Sequence, residues 1–273
     1  MMNLRVVIRG GGDMATGVAH RLKKCGFEII VLEIPQPTVI RRKVAFGIAA
    51  FEGEVQVEGI AAKLVGSVEE ALEMSKGESI PVLLDPDGSC IWELAPDAVV
   101  DCILAKKNLG TRKAMAPIVV GVGPGFEAGN DVHAVVETKR GHDLGKVIYE
   151  GSAFPDTGIP GNIGGYTIER VIKAPGDGIL RHVNDIGSIV SPGDVICTID
   201  GLPVEAVIGG VVRGLIKDGM TVKKGLKIGD IDPRGIVDYC FTISDKARSV
   251  GGGVLEAVLS LRARHRMYNS ADI

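Results

Sequence analysis

The first thirty residues follow the order of a short apolar strand, a glycine turn, an amphipathic helix and a second strand ending on an acid. Gly10, Gly12 and Ala15 fit the G-x-G-x-x-G/A spacing of a dinucleotide-binding βαβ unit. Glu33 follows the turn by about twenty residues, where the acid that binds a ribose stands in that motif. The segment therefore predicts an α/β domain with a ligand at its glycine turn.

The predicted ligand contacts start from the backbone of this turn. Amide groups at the start of a helix are open to an anion, and glycine lets the backbone approach it closely. We expect them to hold a pyrophosphate while Glu33 holds a ribose hydroxyl. The residues are Gly10, Gly11, Gly12, Asp13 and Met14.

Composition limits the class of protein. A formal net charge of -3 argues against general nucleic-acid binding, and the apolar runs are strand-sized, shorter than the roughly 20 residues of a membrane span. The N-terminal segment lacks the pattern of a signal peptide, so we expect a cytoplasmic location. The five cysteines include no Cys-x-x-Cys pair, which favours reduced structural thiols and predicts no metal site.

The chain changes character after a segment rich in glycine and proline at 151–165, GSAFPDTGIPGNIGG. Before it, strand-like and helix-like segments alternate, which predicts a Rossmann-like, mainly parallel sheet over residues 1–165. After it, a repeat with an offset of 32 residues pairs Gly178 with Gly210 and Gly187 with Gly219. This predicts a small all-β barrel of the biotinyl/lipoyl hammerhead type over 166–235. Residues 236–273 are expected to form a helix that returns to the sheet.

A barrel that carries biotin or lipoate needs a lysine on the hairpin between its halves. No lysine occurs between Lys173 and Lys217. We therefore expect neither cofactor to be attached, and interpret the barrel as a docking module.

Loops that follow predicted strands are the next candidates, because ligands of open α/β sheets bind beyond the carboxyl ends of the strands. The basic loop after DAVVDCILA predicts a phosphate-binding site. The glycines of the later GVGPG turn allow its backbone to approach a ligand closely. Arg41, Arg42 and Lys43 form a second basic cluster, for which a surface loop is favoured over a phosphate contact. The loop candidates are Lys106, Lys107, Asn108, Arg112, Gly121 and Gly123.

Titratable side chains concentrate in DVHAVVETKRGHDLG. Asp131 and His133 lie about 6 to 7 Å apart on a presumed strand, and His142 follows in the next turn. These three are the catalytic candidates, for an acid–base pair or an open metal site. The alternative is that His133 is a structural histidine.

The motifs IRGGGDMATGVAHRL, AKKNLGTR, MAPIVVGVGPGFEAGNDVHAVVET, RGHDLG and ISDKARSVGGGVLEA resemble the YqeB family over nearly the whole chain. The resemblance implies an accessory protein of selenium-dependent molybdenum hydroxylase systems. It implies a maturation factor whose partners are the hydroxylase or its other maturation proteins. The implied cofactor is a pterin dinucleotide such as molybdopterin dinucleotide.

The leading hypothesis is thus a two-domain maturation protein that binds NAD(P) or a related dinucleotide, a small phosphate-bearing ligand, in a Rossmann-like crevice. One alternative is an NAD(P)-dependent oxidoreductase with a proton relay through His133 or His142. Another is a non-catalytic scaffold that docks the hydroxylase through the barrel. The sequence leaves a homo-oligomer open.

Overall fold

A computed structural model describes residues 4–271, with side chains up to residue 265. The chain divides into two compact units. Unit 1 is formed by the residues up to 37, by 45–156 and by those from 243 onward. Unit 2 is formed by residues 38–44 and 157–242.

Unit 1 contains one sheet and five α-helices. The helices are α1 (Asp13–Lys24), α2 (Ala49–Glu52), α3 (Val68–Ser75), α4 (Ile91–Leu94) and α5 (Asp245–Ala271). The strands are β1 (Arg5–Arg9), β2 (Glu28–Glu33), β3 (Glu54–Val57), β4 (Ile60–Val65), β5 (Ile80–Leu84), β6 (Ala98–Asp101), β7 (Ile118–Val122), β8 (Ala134–Val136) and β9 (Val147–Ile148).

The sheet has nine strands in the order β3-β4-β5-β2-β1-β6-β7-β8-β9. The strands from β4 to β8 are parallel, whereas β3 and β9 run antiparallel at the two edges. The expected Rossmann-like, mainly parallel sheet is therefore corrected to a mixed sheet. At one edge the physical reason is the Glu58-Gly59 turn, whose φ angles of 44° and 81° suit a two-residue hairpin.

Unit 2 is built from two antiparallel sheets of four strands, ordered β10-β17-β15-β12 and β14-β13-β11-β16. A shared apolar core draws side chains from both sheets, among them Leu180, Ile196, Val212 and Ile231. The strands are β10 (Val171–Lys173), β11 (Gly178–His182), β12 (Ile189–Val190), β13 (Val195–Ile199), β14 (Leu202–Glu205), β15 (Gly210–Leu215), β16 (Thr221–Val222) and β17 (Lys227–Asp232).

The predicted hammerhead barrel is wrong. No pairing joins the two sheets in the residues that the structure describes, so they remain separate layers. The repeat is nevertheless visible, because Gly178 and Gly210 begin β11 and β15 with φ angles of 152° and 151°. Each of these strands pairs with the short strand of the other half, β16 or β12.

The C-terminal helix α5 packs against α1 and against β7 and β8. Glycine makes the close approach possible, since a Cβ on Gly17 would lie 2.6 Å from the Cβ of Ala247 and one on Gly251 would lie 2.9 Å from the carbonyl oxygen of Gly17. Gly253 meets Val136 of β8 in the same way. Among the helices that the structure describes, none combines the length and apolar character that a membrane span needs.

Candidate functional site

The glycine turn that the sequence assigns to a pyrophosphate is occupied by the protein itself. The carboxylate of Glu33 accepts hydrogen bonds from the amides of Gly11, at 2.7 Å, and Ile34, at 2.8 Å. Glu33 is buried, with 8% of its surface exposed. Glu33 thus accepts hydrogen bonds from the residue that follows its own strand and from the glycine turn, and its contact with a ribose stays a prediction.

A second segment closes the same turn. The amide of Gly47 donates to the carbonyl oxygen of Gly11 at 2.7 Å, and the amide of Phe46 donates to the Thr16 hydroxyl at 2.8 Å. A Cβ on Gly11 would lie only 2.6 Å from the Cα of Gly47. The predicted pyrophosphate would compete for this space with the Glu33 carboxylate and with residues 46–48.

The carboxyl edge of the sheet, where the parallel strands end, is the remaining place for a site in unit 1. Helices α1 and α5 lie side by side and run in the same direction, as shown by the contacts of Gly17 with Ala247 and of Arg21 with Arg248. Both helices therefore begin at this edge. Asp13 and Asp245 are their first residues.

Lys246, in the first turn of α5, lies at the centre of the edge. Its ammonium group interacts electrostatically with the carboxylates of Asp13, Glu137 and Asp156. Burial lowers the pKa of Lys246 below its ordinary value, and the guanidinium of Arg140 lowers it further. The three carboxylates oppose this shift without reversing it. Lys246 thus loses its proton more readily than a solvated lysine.

Glu137 directly follows β8 and has 1% of its surface exposed. One carboxylate oxygen accepts from the amides of Thr138, at 2.7 Å, and Lys139, at 2.6 Å; the other accepts from the amide of Phe154, at 2.7 Å. Three amide donors fix the position of this carboxylate. Its orientation relative to Lys246 is therefore set by the backbone.

A cavity of about 540 Å³ adjoins Glu137. Among its lining residues are charged side chains, Asp143 and Lys146, and aromatic ones, Tyr149 and Phe154. The Tyr149 hydroxyl is buried and has no hydrogen-bond partner among the described residues. Glu137 therefore connects Lys246 to a space of small-molecule size.

The loop after β6 brings one of the predicted phosphate contacts to this edge. The Nζ atom of Lys106 pairs with Asp156 at 2.7 Å. Leu104 and Lys106 have φ angles of 58° and 61°, in a region that such residues rarely adopt. Backbone strain of this kind persists where the surrounding structure imposes it, often at functional sites.

The buried ends of β1 and β6 anchor this loop. Arg9, 2% exposed, donates to the Thr111 hydroxyl, which donates to the carboxylate of Asp101 at 2.5 Å. Asn108 binds the amide and the carbonyl of Thr111, both at 2.7 Å. Asn108 therefore contributes to the shape of the loop.

The other predicted loop residues are placed differently. Arg112 and Lys107 are exposed, and the Lys107 backbone packs against Gly125. A Cβ on Gly121 would lie 2.5 Å from the Phe126 ring, and one on Gly123 would lie 2.9 Å from the Thr138 hydroxyl. Both glycines make room for neighbouring side chains.

The three catalytic candidates are not brought together. His133 precedes β8, at the amino end of the strand, and its Nδ1 atom accepts from the amide of Val119 at 2.9 Å. Asp131 accepts from the amide of Glu127 at 3.0 Å within a turn, and His142 is an exposed residue beyond the other end of β8. The described residues contain no group of three or more histidine, cysteine, aspartate or glutamate side chains arranged to bind a metal.

Lys246 was absent from the sequence prediction. The sequence feature that could have identified it is its position, since a lysine in the first turn of a helix interacts unfavourably with the helix dipole. A lysine placed there at an energetic cost is a candidate for a functional role. Neither the distance along the chain nor the periodicity of α5 links Lys246 to Asp13 or Glu137.

No protein-family model matches the chain. The uncharacterized protein YqeB of Escherichia coli strain K12 is 54% identical over 256 residues, which make up 94% of the chain and 47% of that protein. The chain thus spans about half the length of this relative. Over these residues it is a homologue of YqeB.

Several solved structures also resemble the chain at low sequence identity, among them the following three. A succinylglutamate desuccinylase from Silicibacter sp. TM1040 is 14% identical, covers 84% of each chain and has a TM-score of 0.26. The product-bound ectoine utilization protein EutE from Ruegeria pomeroyi is 10% identical, covers 84% and 85%, and has a TM-score of 0.27. An aspartoacylase family protein from Mesorhizobium loti is 13% identical, covers 84% and 85%, and has a TM-score of 0.28. Scores of this size carry no argument about activity.

The contacts of the glycine turn and of unit 2 correct the functional hypotheses. In the chain itself, Glu33 and Gly47 fill the turn on which dinucleotide binding and the NAD(P)-dependent oxidoreductase both depended. The scaffold alternative named a hammerhead barrel as its docking module, whereas unit 2 forms two separate four-stranded sheets. Nothing in these findings supports molybdenum or selenium chemistry.

Proposed function

We propose that the protein is an enzyme that acts on a small molecule at the carboxyl edge of the unit-1 sheet, with Lys246 as the group that transfers a proton. One observation carries this proposal. Lys246 is partly buried at the point where α1, α5 and the loop after β8 meet, and it interacts electrostatically with the carboxylates of Asp13 and Glu137.

The chemistry follows from the charge of these groups. A lysine whose pKa is lowered by burial holds a neutral amine closer to neutral pH, and a neutral amine accepts a proton. The carboxylates of Asp13 and Glu137 stabilise the ammonium formed in that step. Lys106 and Arg140 lie at the same edge, where each is paired with an aspartate, Asp156 and Asp245 respectively.

The role beside a selenium-dependent molybdenum hydroxylase, which the family resemblance implies, depended on a nucleotide at the glycine turn. Glu33 and residues 46–48 occupy that place.

The proposal is tested by ligand-observed NMR with a library of small molecules that includes anionic, neutral and cationic compounds, added to the wild-type protein, to Lys246→Gln and to Lys76→Gln. Lys76 is an exposed lysine of unit 1 paired with Glu73, so Lys76→Gln is the matched control. We expect compounds that bind the wild type and Lys76→Gln but not Lys246→Gln. Turnover of a bound compound, lost in Lys246→Gln alone, completes the test. Ligands that bind Lys246→Gln as well as the wild type contradict the proposal.

A further inference from the structure

Unit 2 contains a buried group of charged side chains on the sheet that holds β15 and β17. The pairing of these strands shifts between Val212 and Gly214, leaving Arg213 as the extra residue of a β-bulge. Bulges redirect side chains and are frequent beside binding sites. Here the guanidinium of Arg213 lies 3.2 Å from the carboxylate of Asp232, with 6% of the arginine exposed.

The same carboxylate already has a strong partner. Arg234 donates two hydrogen bonds to Asp232, at 2.9 Å and 2.6 Å. The neighbouring carboxylate, Asp230, is held by two hydrogen bonds from Arg170, at 3.0 Å and 3.2 Å. Both acids on this face are thus engaged by other arginines.

Arg41 adds a further cation beside Arg213. It donates to the carbonyl oxygens of Tyr239, at 2.8 Å, and Thr242, at 3.1 Å. Burial lowers the pKa of Arg213, and the charge of Arg41 lowers it further. The charges of the two guanidinium groups therefore repel each other beside the buried Arg213 side chain.

Arg213 also has an unused donor. Its Nε–H is buried and meets no hydrogen-bond acceptor among the described residues. A buried donor without an acceptor is costly, and buried cations are normally balanced by an anion. Among the described residues, the Nε–H of Arg213 thus lacks a negatively charged acceptor.

We infer that this arginine cluster, formed by Arg41, Arg213 and Arg234, binds a small oxyanion. The guanidinium fork matches the oxygen spacing of a phosphate or a carboxylate, whereas chloride offers no such pair of acceptors. The route to solvent lies along Arg234, whose side chain is 40% exposed, and the ring of Tyr239, which it covers at 4.7 Å. The inference is independent of the function proposed for unit 1.

The test is a titration of the full chain with inorganic phosphate and, separately, with acetate, followed by calorimetry and by thermal unfolding at constant ionic strength set with chloride. The variants are Arg213→Gln and Arg41→Gln. Arg181→Gln is the control, because Arg181 is an exposed arginine of unit 2 paired with Asp218. Because Arg41 is only partly buried, Arg41→Gln keeps the test decisive if Arg213→Gln fails to fold.

We expect saturable binding of one of the two anions to the wild type and to Arg181→Gln, weakened at least about tenfold in Arg41→Gln and Arg213→Gln. Phosphate binding without acetate binding identifies a phosphate site, and the reverse identifies a carboxylate site. Wild-type protein that binds neither anion in preference to chloride overturns the inference. Equal binding by Arg41→Gln and the wild type overturns it as well.

Discussion

At the scale of single residues, position in the sequence predicted where Glu33 and Gly11 lie but not what they do. The acid at the end of β2 is present, as the βαβ spacing requires. Its carboxylate binds the amides of Gly11 and Ile34, because residues 46–48 close the space that a nucleotide would need. That closure depends on contacts between distant parts of the chain, which spacing alone does not contain.

Substitution of Gly11 by alanine tests this closure. The new Cβ would lie 2.6 Å from the backbone of Gly47, so we expect a loss of about 1 to 3 kcal/mol in the free energy of unfolding, measured with urea. Gly12→Ala is the control, because its Cβ would meet nothing within 4 Å. Equal losses in the two variants would show that residues 46–48 do not pack on Gly11.

Lys246 gives a prediction with a definite sign. The pKa of Lys246 is lower in the folded protein than in the unfolded chain. At a pH below both of these pKa values the amine is charged in both states, and its charge destabilises only the folded state. We expect Lys246→Met to raise the free energy of unfolding at pH 7 by about 1 kcal/mol, since groups that serve function often reduce stability. The penalty is relieved as pH rises from the folded to the unfolded pKa of the lysine.

The gain of Lys246→Met over the wild type should therefore shrink toward alkaline pH. Urea unfolding of both proteins at neutral pH and at about pH 10, near the ordinary lysine pKa, measures it. A variant that is less stable than the wild type at neutral pH would contradict a desolvated Lys246.

At the scale of elements, β1, α1 and β2 follow directly from the pattern of the sequence, because strand, turn and helix signals there are local. The hairpin of β3 and β4 was not predicted, since its Glu58-Gly59 turn is less distinctive than Asn-Gly or Asp-Gly. Three consecutive glycines, Gly251, Gly252 and Gly253, lie in α5. Gly251 and Gly253 permit close packing, toward α1 and β8, while Gly252 faces open space.

The surroundings of Gly252 and Gly253 predict opposite effects of a glycine-to-alanine substitution at these two positions. Gly252→Ala should stabilise the protein by about 1 kcal/mol, because alanine favours the helix and meets no atom within 4 Å. Gly253→Ala should destabilise it, since the new Cβ would overlap the carbonyl oxygen of Gly145. Thermal unfolding of both variants measures the difference, and a loss of stability in Gly252→Ala would contradict the packing of α5.

At the scale of the whole molecule, the carboxyl edge of the sheet could be predicted as the place for a site, and Lys106 was correctly expected to follow a strand there. Lys246 could not be predicted, because it reaches the edge only through the packing of α5 on α1. Residues 38–44 show the same limit: Ile40 accepts from the amide of Leu215 at 2.9 Å and so belongs to unit 2. Local patterns predict elements, and long-range contacts assemble the site.

The account depends on the state of Lys246, and its pKa can be measured directly. Protein labelled with ¹³C at the lysine ε-carbons is titrated by NMR, and Lys246→Arg identifies the resonance of Lys246. We predict that Lys246 titrates clearly below the ordinary lysine pKa of about 10.4. Titration of Lys246 at or above that value would contradict a proton-transferring lysine at this edge.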